Sequence, residues 1–105
     1  MNIALDYDGT YTADTGLWRT FILAAQFRGH TVYLVTLRDE KLDYEEEFDF
    51  LKKEYKIPII FCNGRSKREV TEEYGIPINI FIDDQPEFIP KGVRTLDMTP
   101  WRNAR

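Results

Sequence analysis

A short apolar run followed at once by two carboxylates is the feature that most constrains this chain. Ile3 to Leu5 has the length and apolar character of a buried strand, and Asp6 and Asp8 follow it directly. Residues two apart in an extended segment point to the same side, so both carboxylates leave the same strand end. Gly9 permits a sharp turn after them. Open α/β sheets bind ligands at this end of their strands. An isolated Asp-x-Asp is commonly a solvated turn or a helix cap, but its position after the first strand favours a phosphate or metal site.

Length and composition indicate one domain spanning residues 1–105. The net charge of −4 argues weakly against a nucleic-acid-binding surface. The single cysteine, Cys62, has no partner for an internal disulfide and is interpreted as a small core residue in a reducing compartment. Apolar runs are too short to span a membrane, and Met1 leads straight into the first strand. We therefore expect a cytoplasmic protein without membrane association.

Strands alternate with helices along the chain, which predicts an α/β fold with a parallel sheet and right-handed crossovers. The predicted strands are Ile3–Leu5, Thr31–Thr36, Ile59–Cys62, Ile78–Ile82 and a short fifth strand, Val93–Leu96. The predicted helices are Leu17–Arg28, Tyr44–Lys56 and Lys67–Tyr74. The first is expected to be buried against the sheet. Capping boxes are expected at the start of the other two, formed by Asp43 with Glu46 and by Ser66 with Glu69.

Residues with reactive or charged side chains follow several of these strands. They are Asp6 and Asp8 after the first, Thr36 at the end of the second, Lys67 opening the helix after the third, and Asp83 and Asp84 after the fourth. In a parallel sheet these positions share one edge. Two like charges there repel by about 4 kcal/mol at about 4 Å and an effective dielectric constant of about 20, so clustered carboxylates call for protons or a cation. Oxygen ligands favour Mg²⁺.

The basic residues near this edge have two interpretations. Lys67 and Arg68 lie in the first turn of a helix, where the dipole disfavours cations, so they face a phosphate or the carboxylates, or they form a solvated basic turn. Arg38 either binds substrate or pairs with Asp39 or Glu40.

Four sequence elements together resemble the motifs of the haloacid dehalogenase (HAD) superfamily, in its phosphatase branch. They are Asp6-x-Asp8-Gly9-Thr10, Thr36 at a strand end, Lys67 opening a helix, and Asp83-Asp84 after Ile80-Phe81-Ile82. The resemblance spans nearly the whole chain. It implies a three-layer α/β/α Rossmann-like fold around a central, mainly parallel sheet of about five strands.

The resemblance also implies a mechanism for phosphomonoester hydrolysis. Asp6 is the expected nucleophile that forms an aspartyl-phosphate, and Asp8 the general acid and base. Phosphoryl oxygens are held by Gly9, Thr10, Thr36 and Lys67, with Arg68 as the alternative to Lys67. Mg²⁺ is bound by Asp6, the backbone carbonyl of Asp8 and Asp83, with Asp84 acting directly or through water. Such covalent catalysis splits the transfer into two steps.

Spacing and one unusual residue bear on the substrate. The intervals between motifs leave no room for the cap domain found in many HAD members, so the resemblance implies an open site, suited to a large phosphorylated substrate or to a lid from another subunit. Tyr11 replaces the small aliphatic residue of many members. It either lines the entrance or is a packed aromatic with its hydroxyl in water. Tyr11, Arg38 and Arg68 are candidate substrate contacts.

Three functions fit these residues. The first is an Mg²⁺-dependent phosphatase, of which a nucleic-acid 3′-phosphatase using Arg38, Arg65 and Arg68 is a subcase. The second is a phospho-accepting signalling module of the receiver type, which normally carries its acceptor aspartate after the third strand, where this chain has none. The third is a non-catalytic phosphate- or metal-binding protein. Neither the substrate nor the oligomeric state follows from the sequence.

Overall fold

The computed structural model describes residues 1–90, which form a four-stranded parallel sheet with three α-helices. The strands are β1 (Asn2–Leu5), β2 (Thr31–Thr36), β3 (Ile59–Phe61) and β4 (Ile80–Ile82), and the helices are α1 (Thr15–Phe27), α2 (Glu46–Tyr55) and α3 (Lys67–Glu73). The strand order is β3-β2-β1-β4. The predicted α/β class and parallel sheet are confirmed for this part of the chain. The predicted fifth strand, Val93–Leu96, lies outside the described residues.

The register of the strands aligns their carboxyl ends at one edge of the sheet. Leu5, the last residue of β1, lies beside Leu34 of β2 and Ile82 of β4. The backbone N–H of Asp6 then donates to the carbonyl of Ile82 at 3.0 Å, which extends the pairing by one residue. The residues that follow β1 and β4 therefore emerge side by side.

Alternate residues of the strands enter two separate hydrophobic clusters. Leu5 and Leu34 belong to the first cluster, together with Ile22 of α1 and Phe48 of α2. Ala4, the neighbour of Leu5, belongs to the second, together with Val35, Ile60, Cys62 and Val70 of α3. Each fully buried large apolar side chain contributes about 1.5–3 kcal/mol. Helices α1 and α2 thus pack on one cluster and α3 on the other, and the interpretation of Cys62 as a core residue is confirmed.

Helix α1 is less buried than its composition predicts. Ile22 and Ala25 are buried, but Leu17 and Leu23 are largely exposed and Phe27 is 92% exposed. A helix presents only one stripe to a sheet, and these three residues lie off that stripe. The helix begins at Thr15, earlier than predicted, because the carboxylate of Asp14 caps it by accepting from the N–H of Leu17 at 3.1 Å.

The two predicted capping boxes have different outcomes. Helix α2 begins at Glu46, after the cap residue Glu45, so the prediction that Asp43 caps it is wrong. The Asp43 carboxylate accepts from the N–H of Asp39 instead. At α3, the hydroxyl of Ser66 accepts from the N–H of Glu69 at 3.1 Å, as predicted. Among the described residues, no helix is both long and apolar enough to cross a membrane.

Candidate functional site

A buried ion-paired group lies at the carboxyl edge of the sheet, and we call Asp6, Lys67 and Asp83 the site floor. The Nζ atom of Lys67 donates to Oδ1 of Asp6 and to Oδ2 of Asp83, both at 2.6 Å. Asp6 follows β1, Asp83 follows β4, and Lys67 opens α3. Only 2% of the Lys67 side chain and 6% of the Asp6 side chain are exposed. Of the alternatives that the sequence left open for Lys67, the structure shows the one in which it faces the carboxylates and not a solvated basic turn.

The charge of the site floor changes the proton affinity of its members. Burial, reinforced by the negative charge of Asp83 and opposed by Lys67, raises the pKa of Asp6 to about 7. Burial alone would lower the pKa of Lys67, but the charges of Asp6 and Asp83 more than offset it, so its pKa is raised. The Lys67 ammonium therefore stays protonated at neutral pH, and it is shared between the carboxylates of Asp6 and Asp83.

Thr10 and Gly9 hold the loop after β1 in place. The Thr10 hydroxyl donates to Oδ2 of Asp6 at 3.0 Å and accepts from the backbone N–H of Asp84 at 3.1 Å. Gly9 has a φ of 82°, which favours glycine, and its N–H donates to the Thr12 hydroxyl at 2.9 Å. Thr10 thus links the first and fourth motifs.

The carboxylate of Asp8 points to a different group, and we call Asp8, Arg38 and Glu45 the site mouth. Arg38 donates from Nη2 to Oδ1 of Asp8 at 2.7 Å and from Nε to Oδ2 at 2.8 Å. Its Nη1 donates to Glu45 at 3.0 Å. The expected pairing of Arg38 with Asp39 or Glu40 is therefore not the one the structure has. The expectation of four clustered carboxylates also needs correction, since the Asp8 side chain pairs with Arg38.

Three carboxylates do converge as a candidate metal centre. One oxygen from each of Asp6, Asp83 and Asp84 lies within 4.8 Å of the others. Three carboxylates around a single ammonium leave an excess of negative charge, and hard oxygen donors match Mg²⁺. The donor set therefore fits a divalent cation without any contribution from the Asp8 side chain.

Thr36, the other predicted phosphate ligand, lies at the same edge of the sheet, and an unpredicted cleft adjoins Asp83 and Asp84. Thr36 ends β2 and is buried, and its hydroxyl accepts from the N–H of Arg38 at 3.2 Å. A cleft of about 300 Å³ is lined by Gly9, Thr10, Asp83, Asp84 and also by Leu17 and Trp18 of α1. Sequence reasoning assigned Leu17 and Trp18 to the core. Their position at the start of α1, shortly after the Asp-x-Asp motif, is the sequence feature that indicates a place near the site.

Three other candidates lie away from the floor and the mouth. Tyr11 is fully buried, and its hydroxyl donates to Glu47 and accepts from Arg19 Nε, so it neither lines the entrance nor reaches water. The Arg68 guanidinium is 5.1 Å from the Phe81 ring, and Arg65 pairs with Glu69 and Glu73. Lys67, and not Arg68, is therefore the residue of this pair that contacts Asp6 and Asp83.

A scan against protein-family models matched no family, and searches of curated proteins and of solved structures found no significant match. What the site does must therefore be inferred from its own geometry.

Proposed function

We propose that this protein is an Mg²⁺-dependent phosphatase of the HAD type, which hydrolyses phosphomonoesters through an aspartyl-phosphate on Asp6. The observation that carries the proposal is the buried carboxylate of Asp6, which accepts from the Lys67 ammonium at 2.6 Å and has an oxygen within 4.8 Å of the carboxylates of Asp83 and Asp84. A nucleophilic carboxylate, a cationic partner for phosphoryl oxygens and a set of cation ligands are the parts that this reaction needs.

In the first step, a carboxylate oxygen of Asp6 attacks phosphorus and the bond from phosphorus to the leaving oxygen breaks. The leaving oxygen takes a proton from Asp8, which gives the free alcohol. In the second step, Asp8 takes a proton from a water molecule as that water attacks phosphorus. The bond from phosphorus to Asp6 then breaks, which releases inorganic phosphate and restores the Asp6 carboxylate. Asp8 suits this role because 30% of its side chain is exposed.

The other described residues of the site hold charge and orientation. Lys67 balances the negative charge of the phosphoryl oxygens, and Thr36, at the end of β2, is the proposed hydroxyl donor to one of them. Thr10 fixes the carboxylate of Asp6 against rotation through its hydrogen bond. The proposed phosphate-binding role of Gly9 rests on its backbone conformation rather than on a side chain.

Asp6, Asp83 and Asp84, with the backbone carbonyl of Asp8, are the residues that we propose hold Mg²⁺. When bound, the ion supplies Lewis-acid neutralisation of the transferring phosphoryl group. The raised pKa of Asp6, about 7, supports the proposal that a cation binds beside this carboxylate. A protonated Asp6 is a poor nucleophile, and a nearby cation favours the carboxylate form.

The proposal includes the finer architecture. We propose a three-layer α/β/α Rossmann-like fold, supported by α1 and α2 packing on one hydrophobic cluster and α3 on the other. The residues after β3, Cys62 and Asn63, carry no carboxylate, which disfavours the receiver-type alternative. We also propose an open site, since the connections between the described strands consist of loops and single helices.

Hydrolysis of an aryl phosphate with and without Mg²⁺ tests the proposal. We expect metal-dependent release of phosphate that Asp6→Asn abolishes. Asp49→Asn is the matched control, because Asp49 lies on α2 and its carboxylate accepts from the Tyr44 hydroxyl at 2.6 Å. Turnover that persists in Asp6→Asn would contradict the assignment of the nucleophile. A wild-type protein inactive on both the aryl phosphate and a 3′-phosphorylated oligonucleotide would contradict the phosphatase.

A further inference from the structure

Arg38 holds both oxygens of the Asp8 carboxylate. The Nη2 and Nε groups donate to Oδ1 and Oδ2 at 2.7 and 2.8 Å, which is the bidentate geometry of a strong charge-assisted pair. Both oxygens therefore accept hydrogen bonds from the same planar fork.

This arrangement conflicts with the role of Asp8 in the proposed mechanism. A general acid must carry a proton on one carboxyl oxygen and present it to the leaving group. A carboxyl oxygen that carries a proton can no longer accept a hydrogen bond from the guanidinium as the ionised oxygen does. Asp8 must therefore give up at least one of its two bonds to Arg38 when it delivers its proton.

Arg38 can accept a replacement partner because it lies at the accessible side of the site. Its side chain is 21% exposed, against 2% for Lys67. The same guanidinium also donates to Glu45 and to the backbone carbonyl of Asp43, and lies 5.2 Å from the Tyr7 ring. The Nη1 side of the guanidinium is thus anchored at Asp43 and Glu45, while Nη2 and Nε face Asp8.

We propose that Arg38 recognises a second anionic group on the leaving group of the substrate, and that its transfer from Asp8 to this anion frees Asp8 to act as acid and base. This inference rests on the proposed function. The substrate class is then phosphomonoesters whose alcohol carries a carboxylate or another phosphate close to the ester oxygen.

An anion is the expected partner because Arg38 must exchange its two hydrogen bonds to the Asp8 carboxylate for bonds of similar strength. A neutral hydroxyl or amide would replace a charge-assisted bidentate pair with weaker bonds, whereas a carboxylate or phosphate offers the same two-oxygen geometry. Substrates without such a group would leave Asp8 held by Arg38, and would turn over slowly even when bound.

Two matched substrate pairs test the inference. The first pair is phosphoglycolate and its neutral amide, which differ in one carboxylate. The second is a nucleoside 3′,5′-bisphosphate and the corresponding 3′-monophosphate. We expect kcat/KM of wild type to be about tenfold to a hundredfold higher for the anionic member of at least one pair. The pair that shows the larger preference identifies a carboxylate or a phosphate as the second anion. No preference in either pair would overturn the inference.

Variants of Arg38 separate recognition from a purely structural role. Arg38→Gln should abolish the preference by slowing the anionic substrate, while kcat for the neutral one is kept or raised because Asp8 is released. Arg38→Lys should retain part of the preference, since it keeps the charge without the fork. An equal loss on both members of a pair would instead make Arg38 only a positioning residue for Asp8.

Two further measurements complete the design. Arg65→Gln is the matched control, because Arg65 is also paired with two carboxylates, Glu69 and Glu73, outside the floor and the mouth, and it should keep the wild-type preference. Turnover of the aryl phosphate is measured alongside. A wild type that releases phosphate from neither the aryl phosphate nor any member of the two pairs speaks against the phosphatase itself, whereas turnover without an anionic preference speaks against the role of Arg38 alone.

Discussion

The site floor and the site mouth are both built from one cation between two carboxylates, yet their surroundings differ. In the floor, Lys67 between Asp6 and Asp83 is almost fully buried. In the mouth, Arg38 between Asp8 and Glu45 is partly exposed to solvent. The same type of ion pair is therefore shielded from solvent in one place and open to screening by water in the other.

This difference matches two chemical needs. A nucleophile must be held in one position, and the buried lysine and the Thr10 hydroxyl hold Asp6 from two sides. A proton donor must exchange partners during the reaction, and Asp8 is held by a side chain that is 21% exposed and therefore open to another acceptor. We infer that burial, rather than the kind of residue, separates the two roles proposed for these neighbouring aspartates.

The largest expected effect comes from removing the cation of the floor. Lys67→Met should lower the free energy of unfolding by about 3–5 kcal/mol at neutral pH without Mg²⁺, because it leaves buried carboxylates uncompensated. Urea denaturation measures this, with Lys53→Met on the exposed side of α2 as the control. A loss no larger than that of the control would mean that water, not Lys67, compensates these charges. We also expect Lys67→Met to lose phosphatase activity.

A second prediction concerns the pH dependence of the floor. The folded-state pKa of Asp6, about 7, lies above its ordinary value of 3.8, so the folded protein binds the proton more tightly than the unfolded chain does. This contribution to stability is fully present below about pH 4 and is lost as pH rises through about 7. It amounts to at most about 4 kcal/mol.

The measurement is urea denaturation of the wild type and Asp6→Asn between pH 4 and 8, with a chelator present. The stability of the wild type should fall relative to that of Asp6→Asn as pH rises. Parallel profiles for the two proteins would show that Lys67 holds Asp6 ionised throughout, and that the floor resembles the mouth more than its burial indicates.

Magnesium should reverse part of this pH effect. Binding to the folded state alone stabilises it by about 2.7 kcal/mol at a free ion concentration of about 100 times Kd. We expect Mg²⁺ to raise the unfolding midpoint of wild type, and Asp83→Asn and Asp84→Asn to weaken that response. Asp49→Asn, which lies outside the carboxylate group, should respond like wild type. An identical response in Asp84→Asn would remove Asp84 from the ligand set.

The floor was predictable from the sequence and the mouth was not, for a physical reason. The floor depends on where parallel strands end, and apolar runs such as Ile3–Leu5 and Ile80–Ile82 mark those ends. Once their register is parallel, Asp6 and Asp83 must lie side by side. The mouth depends on which acceptor the long side chain of Arg38 reaches from its loop. Closeness in sequence favoured Asp39 and Glu40 as the predicted partners of Arg38 over Asp8.

Burial of single side chains was the other feature that patterns did not determine. The apolar composition of α1 indicated a helix buried around much of its circumference, but Phe27 is exposed because only one stripe of the helix meets the sheet. Tyr11 was expected to reach solvent, but Glu47 on α2 and Arg19 on α1 satisfy its hydroxyl inside. Both outcomes depend on how helices are placed against the sheet, which local sequence does not specify.

The smallest expected effect is the coupling between Arg38 and Glu45 at the mouth. A double-mutant cycle with Arg38→Gln and Glu45→Gln should give a coupling energy below about 1 kcal/mol, because both side chains reach solvent. The corresponding cycle for Lys67→Met and Asp83→Asn should give a value several times larger. Added salt should reduce the first coupling and leave the second nearly unchanged, since screening acts on exposed charges. Equal couplings with equal salt dependence would show that Glu45 holds Arg38 as firmly as Asp83 holds Lys67, and would contradict the difference between the mouth and the floor.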